Sequence, residues 1–143
     1  MDDQAQKIAE KKQSLKRYKN MLACIRRLEY KLLTLTNKIE SARGSNYSGM
    51  PRGGTPITID EMMSDKMELE DRIARLRKKK GSIRRAILDE IDSLEDDRYC
   101  DILEGLFIDC LSPDKLAEDR GYTRRHVDRL YKEAVETLAL REQ

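Results

Sequence analysis

The chain has no tryptophan, one phenylalanine and one histidine in 143 residues, and aromatic residues make up only 5% of it. A large globular core normally depends on such bulky side chains, so their scarcity argues against one. No apolar run approaches the ~20 residues that a membrane span requires, so no membrane association is expected. The three cysteines, Cys24, Cys100 and Cys110, form no CxxC pair. With a single histidine they cannot complete a zinc site at any usual spacing. An odd cysteine count without a disulfide framework, behind a charged N-terminus, points to a reducing cytoplasm. The sequence also lacks a Gly-rich phosphate loop and any nucleophile with a plausible base. The expectation is a protein that is not an enzyme and needs no cofactor, with its cysteines packed as small apolar residues.

What is abundant is charge, at 39% of residues. A long amphipathic helix tolerates this, because it needs only a narrow apolar stripe. The net charge of +2 hides a segregation along the chain. Lys7 to Lys31 hold nine Lys or Arg against Glu10 and Glu29, and Arg72 to Arg85 hold eight basic residues and no acid. Asp89 to Asp119 reverse the balance, with twelve acids against Arg98 and Lys115. Basic blocks suit a polyanion, whereas the acidic block should face away from it or meet a basic partner.

The apolar pattern predicts an all-α protein: a long N-terminal antiparallel helical hairpin or coiled coil, then a small C-terminal helix-turn-helix domain. Residues 1–42 read as one long helix, with Tyr18, Leu22, Ile25, Leu32 and Ile39 on a stripe. Residues 43–59 gather four of the seven glycines and two of the three prolines and read as a loop. Residues 60–92 read as a second long helix capped by Thr58 or Asp60. Its seam combines Met62, Leu69, Leu76 and Ile83 with Lys66, Ile73, Lys80 and Ile87, the lysine stems lying along apolar surface. Leftover apolar edges would favour self-association.

Residues 93–143 read as the compact domain. A first helix over Leu94–Asp109 would bury Tyr99, Ile102, Leu103, Leu106, Phe107 and Cys110. Ser112 then caps a second helix that opens with Pro113, and Gly121 permits the positive φ of a tight turn. Thr123 caps a third helix, whose Val127, Leu130, Tyr131, Ala134 and Leu138 return to the core. A small residue at Ala117, glycine four later and a β-branched residue six after that is helix-turn-helix spacing. The helix from Thr123 is then the recognition helix. Thr123, Arg124, Arg125, Asp128 and Arg129 project from it toward base edges, and arginine can grip guanine through two hydrogen bonds. Lys132 and Arg141 suit phosphate, and His126, on the exposed side, is placed to touch phosphate or simply solvent.

The segment from about Leu103 to Leu140 resembles the fourth region of bacterial sigma factors. The likeness rests on Leu116, Ala117, Gly121, the run Tyr-Thr-Arg-Arg-His-Val at 122–127, and the Ala134 and Leu138 spacing. With its long N-terminal helix and the Gly49-Met-Pro-Arg-Gly-Gly loop, the whole chain is similar to phage and prophage sigma-like late transcription activators. That resemblance implies a DNA-binding activator that works with host RNA polymerase. No counterpart of the sigma region that reads the downstream promoter element is visible, so independent promoter melting is not implied.

The expected function is therefore sequence-specific binding of double-stranded DNA by a homo-oligomer, most simply a dimer, in transcription regulation. The basic faces at Lys16–Lys31 and Arg75–Arg85 either extend phosphate contact or only keep long helices soluble. Two other readings remain open. One is a small terminase-like packaging component, in which the DNA-binding unit normally precedes the oligomerising helices rather than following them. The other is a helical adaptor whose acidic block docks on a basic surface.

Overall fold

The computed structural model describes residues 2–44 and 58–141. These contain six helices and no strand: α1 (Asp2–Leu15), α2 (Arg17–Gly44), α3 (Ile59–Asp92), α4 (Asp97–Phe107), α5 (Pro113–Arg120) and α6 (Arg124–Leu140). The protein is all-α, as its charge-rich, aromatic-poor composition suggests. It divides into two compact units, one formed by Met1–Met21 with Lys80–Gln143 and the other by Leu22–Lys79. No described helix is long and apolar enough to cross a membrane.

Within Leu22–Lys79, Ile25, Leu28, Ile39 and Ile73 are buried, and two side-chain contacts join α2 to α3. Glu29 pairs with Arg77, and the Arg43 guanidinium lies 3.7 Å from the Met63 sulfur. Rising positions on α2 thus meet falling positions on α3. Thr58 caps α3, its hydroxyl oxygen accepting the Glu61 N–H at 3.1 Å, and Asp60 and Glu61 favour the positive end of the helix dipole. Lys66 and Lys80 on the expected seam are half-buried like Met62, Leu69 and Leu76, as lysine stems lying along apolar surface should be. Arg43 and Gly44, placed in the loop by composition, end α2. The rest of the expected loop, residues 45–57 with Arg52 and Met50–Gly54, lies outside the described residues.

Two expectations about the N-terminal helix need correction. It is not one helix: α1 and α2 meet at Lys16, whose N–H is shared between the Lys12 and Gln13 carbonyls at 3.2 Å each. Nor does all of it belong with α3 in a separate hairpin, because α1 packs along α6. No proline or glycine marks the break, and the physical reason is tertiary. Leu15 is fully buried, and the ammonium groups of Lys12 and Lys19 sit 5.7 and 6.0 Å from the ring centroids of Tyr131 and Phe107. Lys11 adds an ion pair to Glu90.

The remaining helices of this unit close over a core of Ile87, Ile91, Ile102, Leu103, Leu116, Val127, Leu130, Val135 and Leu138. Burying each such side chain stabilises the fold by about 1.5–3 kcal/mol. The first helix of the compact domain is shorter than the pattern predicts. Asp96, in extended backbone, caps it by accepting the Arg98 N–H at 2.9 Å, so α4 begins at Asp97 and not at Leu94. At its other end Ile108 and Asp109 both donate to the Glu104 carbonyl, and the chain turns away through Cys110, whose φ is 58°. Cys110 is consequently exposed and does not join the apolar face, contrary to expectation. Cys24 and Cys100 are half-buried.

Helices α4 and α5 approach closely at Gly105, where a Cβ would fall 2.9 Å from a methyl of the buried Leu116. Ser112 caps α5 by accepting the Lys115 N–H at 3.1 Å, with Pro113 in the first turn. Gly121 ends α5 in the left-handed region at φ 70°, ψ 27°. The Tyr122 N–H then returns to the Ala117 carbonyl at 2.9 Å, the six-to-one bond of a Schellman end.

Candidate nucleic-acid interface

The connection between α5 and α6 consists of Gly121, Tyr122 and Thr123. Left-handed backbone at Gly121 reverses the chain, and Thr123 immediately starts α6, its Oγ1 accepting the His126 N–H at 3.1 Å. Helix α6 is anchored by Val127, Leu130 and Ala134, all fully buried. Because these positions sit three and four apart, the residues between them face outward. The side chains that could meet a ligand therefore stand on a helix whose orientation its core contacts fix.

The seven residues expected to form the site do not act as one surface. Thr123, Arg125, His126 and Arg129 line an open depression of about 260 Å³ at the start of α6. In it the Arg129 Nη2 donates to His126 Nδ1 at 2.8 Å. An acceptor Nδ1 requires the ring proton on Nε2, so this contact belongs to the neutral imidazole. The His126 ring is itself held edge-on against Tyr122, with centroids 4.7 Å apart and planes at 89°. His126 is half-buried rather than freely exposed, and it steadies Arg129. Arg125 is exposed and forms no ion pair with any described residue.

Arg124 and Asp128 lie on a different side of the helix. The Arg124 Nη1 donates to Asp114 Oδ1 and its Nε to Asp128 Oδ1, both at 2.9 Å. These two bonds, that to Asp128 foremost, hold the guanidinium above its ordinary pKa. Both side chains border an open groove of about 570 Å³ with an apolar floor that includes Phe107, Val127 and Tyr131. Two carboxylates thus offset the Arg124 charge, and Asp128 has its acceptor engaged. Lys132 stands further along α6, beside Ala5, Ile8, Ala9 and Lys12 of α1.

Around this site much of the acidic block is spent internally. Asp101 takes a two-point grip from Arg120 at 2.6 and 2.9 Å, Asp119 meets Lys115 at 3.3 Å, and Asp96 chelates Arg98. The Asp96 carboxyl is held below its ordinary pKa, chiefly by that Arg98 contact. Two contacts missed by sequence reasoning had a signal in local spacing. Tyr122 and His126 are four apart across a cap, and Ala5, Ile8, Lys12 and Leu15 repeat at three and four. The Asp114 contact, ten positions from Arg124 and across the turn, had no such signal.

No protein-family model, curated protein or solved structure matches this chain.

Proposed function

We propose that this protein is a sequence-specific DNA-binding transcription regulator in which α5, the Gly121 turn and α6 form a helix-turn-helix with α6 as the recognition helix. In this reading α2 and α3 form an antiparallel hairpin through which the chain self-associates, most simply as a dimer, so that two recognition helices address paired half-sites. The resemblance of residues 103–140 to the fourth region of sigma factors supports a role beside the RNA polymerase of a bacterial host, as a phage or prophage activator.

The observation that carries the proposal is the depression formed by Thr123, Arg125, His126 and Arg129 on a helix start. It joins one arginine without an internal counter-charge to another held by the His126 ring. Helix starts of this kind enter the major groove, and an arginine held in one geometry loses less on binding than a free one. Arg125 and Arg129 are assigned to base edges, Thr123 and His126 to phosphate, and Arg124 to support of the helix pair.

The proposal is tested by selecting bound duplexes from a random pool at one fixed moderate salt concentration, with the native chain and an Arg125→Ala, Arg129→Ala double variant. A defined motif for the native chain that disappears in the variant supports α6 as reader, and a palindromic motif supports the dimer. Recovery of the same motif by both proteins sinks the assignment.

A further inference from the structure

A second charged surface, built from other residues, lies in the unit Leu22–Lys79. The Glu29–Arg77 and Arg43–Met63 contacts place α2 and α3 in opposite directions. Position 27 therefore lies level with about position 79, and position 31 with about position 75. This register brings the two basic blocks of the sequence together. Positions 26–31 and 72–79 hold eight Lys or Arg and a single acid, Glu29, which is already committed to Arg77. Arg26, Arg27, Lys31, Arg75, Lys78 and Lys79 are all exposed. None forms an ion pair with a described residue.

A helix face that serves only solubility usually mixes signs, with acids placed four residues before bases. Here Arg27 and Lys31 are a like-charged pair four apart, and Arg75 and Lys79 are another, spacings that cost the helices stability, while Asp71 stands four before Arg75 in the mixed manner. Eight residues of helix span about 12 Å, so the charge along each helix is concentrated. Tyr30, 71% exposed, and Leu33, 57% exposed and three residues on, are the large apolar side chains standing clear beside these cations among the described residues. Two side chains amid that much charge are less than the apolar centre of a protein-binding patch, and a tyrosine hydroxyl is an ordinary phosphate donor. Duplex DNA, with about one charge per 1.7 Å of axis, matches such a field and gains from counterion release.

We propose that this belt is a second contact for duplex DNA, which grips backbone phosphates whatever the sequence while α6 supplies the reading. The belt stands independently of the α6 assignment, because its cations belong to the other compact unit. The test uses the full-length chain, an Arg75→Ala, Lys78→Ala, Lys79→Ala variant and the Arg125→Ala, Arg129→Ala variant, each checked for native helicity by circular dichroism. Affinity for a shuffled-sequence duplex is measured by fluorescence anisotropy over a series of NaCl concentrations.

The belt variant should bind roughly tenfold or more weakly at low salt. Its slope of log affinity against log salt should be shallower by about 3, near one for each phosphate that the missing cations would have neutralised. The Arg125 and Arg129 variant should keep most of its salt-steep binding to the shuffled duplex. Equal slopes for the native chain and the belt variant would overturn the proposal. So would a belt-dependent preference for poly-glutamate or for hairpin RNA over duplex DNA, since either would assign the cations to another partner. A motif that survives Arg125→Ala, Arg129→Ala defeats the α6 assignment and leaves the belt standing.

Discussion

Arg124 reaches back across the turn to Asp114, Nη1 to Oδ1 at 2.9 Å, while its Nε holds Asp128 one helical turn along. One guanidinium thereby ties the first turn of α5 to the first two turns of α6, and it is a strut before it is a reader. Arg124→Ala should give a small fall in melting temperature that shrinks further at high salt, because all three side chains are at least half exposed and such pairs are screened. DNA affinity should separate neighbouring arginines. Arg125→Ala should weaken binding roughly tenfold or more, the value of one good base contact, and Arg124→Ala several-fold less. Equal losses from the two variants would mean that Arg124 leaves its carboxylates on binding.

The two glycines that matter here do so for different reasons, and substitution separates them. Gly121 has open space around its Cβ position but a φ of 70°, so Gly121→Ala should cost about 1–2 kcal/mol through backbone strain alone. Gly121→Asn should recover part of that, since asparagine tolerates the left-handed region. Gly105 has ordinary helical backbone but a Leu116 methyl 2.9 Å from its Cβ position, so Gly105→Val should cost roughly 1–3 kcal/mol by overpacking. Urea unfolding midpoints for the three variants check both statements. A neutral Gly105→Val would show that Leu116 can move aside.

Leu15 is fully buried although it ends a helix of low overall hydropathy. Leu15→Ala should destabilise by about 2–5 kcal/mol. It should also raise hydrogen exchange in the second half of α6, where α1 packs, more than in α5. Unchanged exchange in α6 would mean that α1 is dispensable to it.

Legibility of this fold in the sequence follows interaction range. Ser112, Pro113, Gly121 and Thr123 could each be assigned because capping and turn chemistry act over three or four residues, and the structure places each in that role. The alternation of Ile73 and Ile87 with half-buried Lys66 and Lys80 was equally readable as a helical stripe. A stripe, however, does not name its partner. Ile8 and Leu15 continued the pattern of Tyr18 and Ile25, so nothing local separated α1 from α2. In the candidate site, the outward positions of α6 were readable from its period. The division of those positions into a depression with Arg125 and Arg129 and a neutralised cluster with Arg124 was not, because it depends on Asp114 across the turn. The short span of α4 was hidden for a related reason: Asp96 starts the helix and Ile108 ends it by local hydrogen bonding inside a run whose apolar pattern would have continued.

The cysteines supply a last prediction, one that depends on pH. Cys110 is exposed on a left-handed turn, whereas the Cys100 sulfur lies 3.3 Å from the Ile91 carbonyl and 3.5 Å from that of Leu94. Burial, helped by Asp97 and Asp92 nearby, pushes the Cys100 thiol above its ordinary pKa. The thiolate is the nucleophile, so iodoacetamide at mildly alkaline pH should label Cys110 well before Cys100 in the folded chain. Unfolding in urea should bring the two rates together. For stability the sign follows from the raised value. The folded state disfavours the Cys100 thiolate, so its contribution is intact below the ordinary thiol pKa and declines as pH climbs through the range above it. A Cys100→Ala variant loses some packing at every pH but should lack that alkaline decline. Peptide mapping of the alkylated chain and urea midpoints across the alkaline range check both halves. Cys100 labelling as fast as Cys110 in the native state would show that the α3–α4 connection opens readily, and would remove the physical basis for the pH effect.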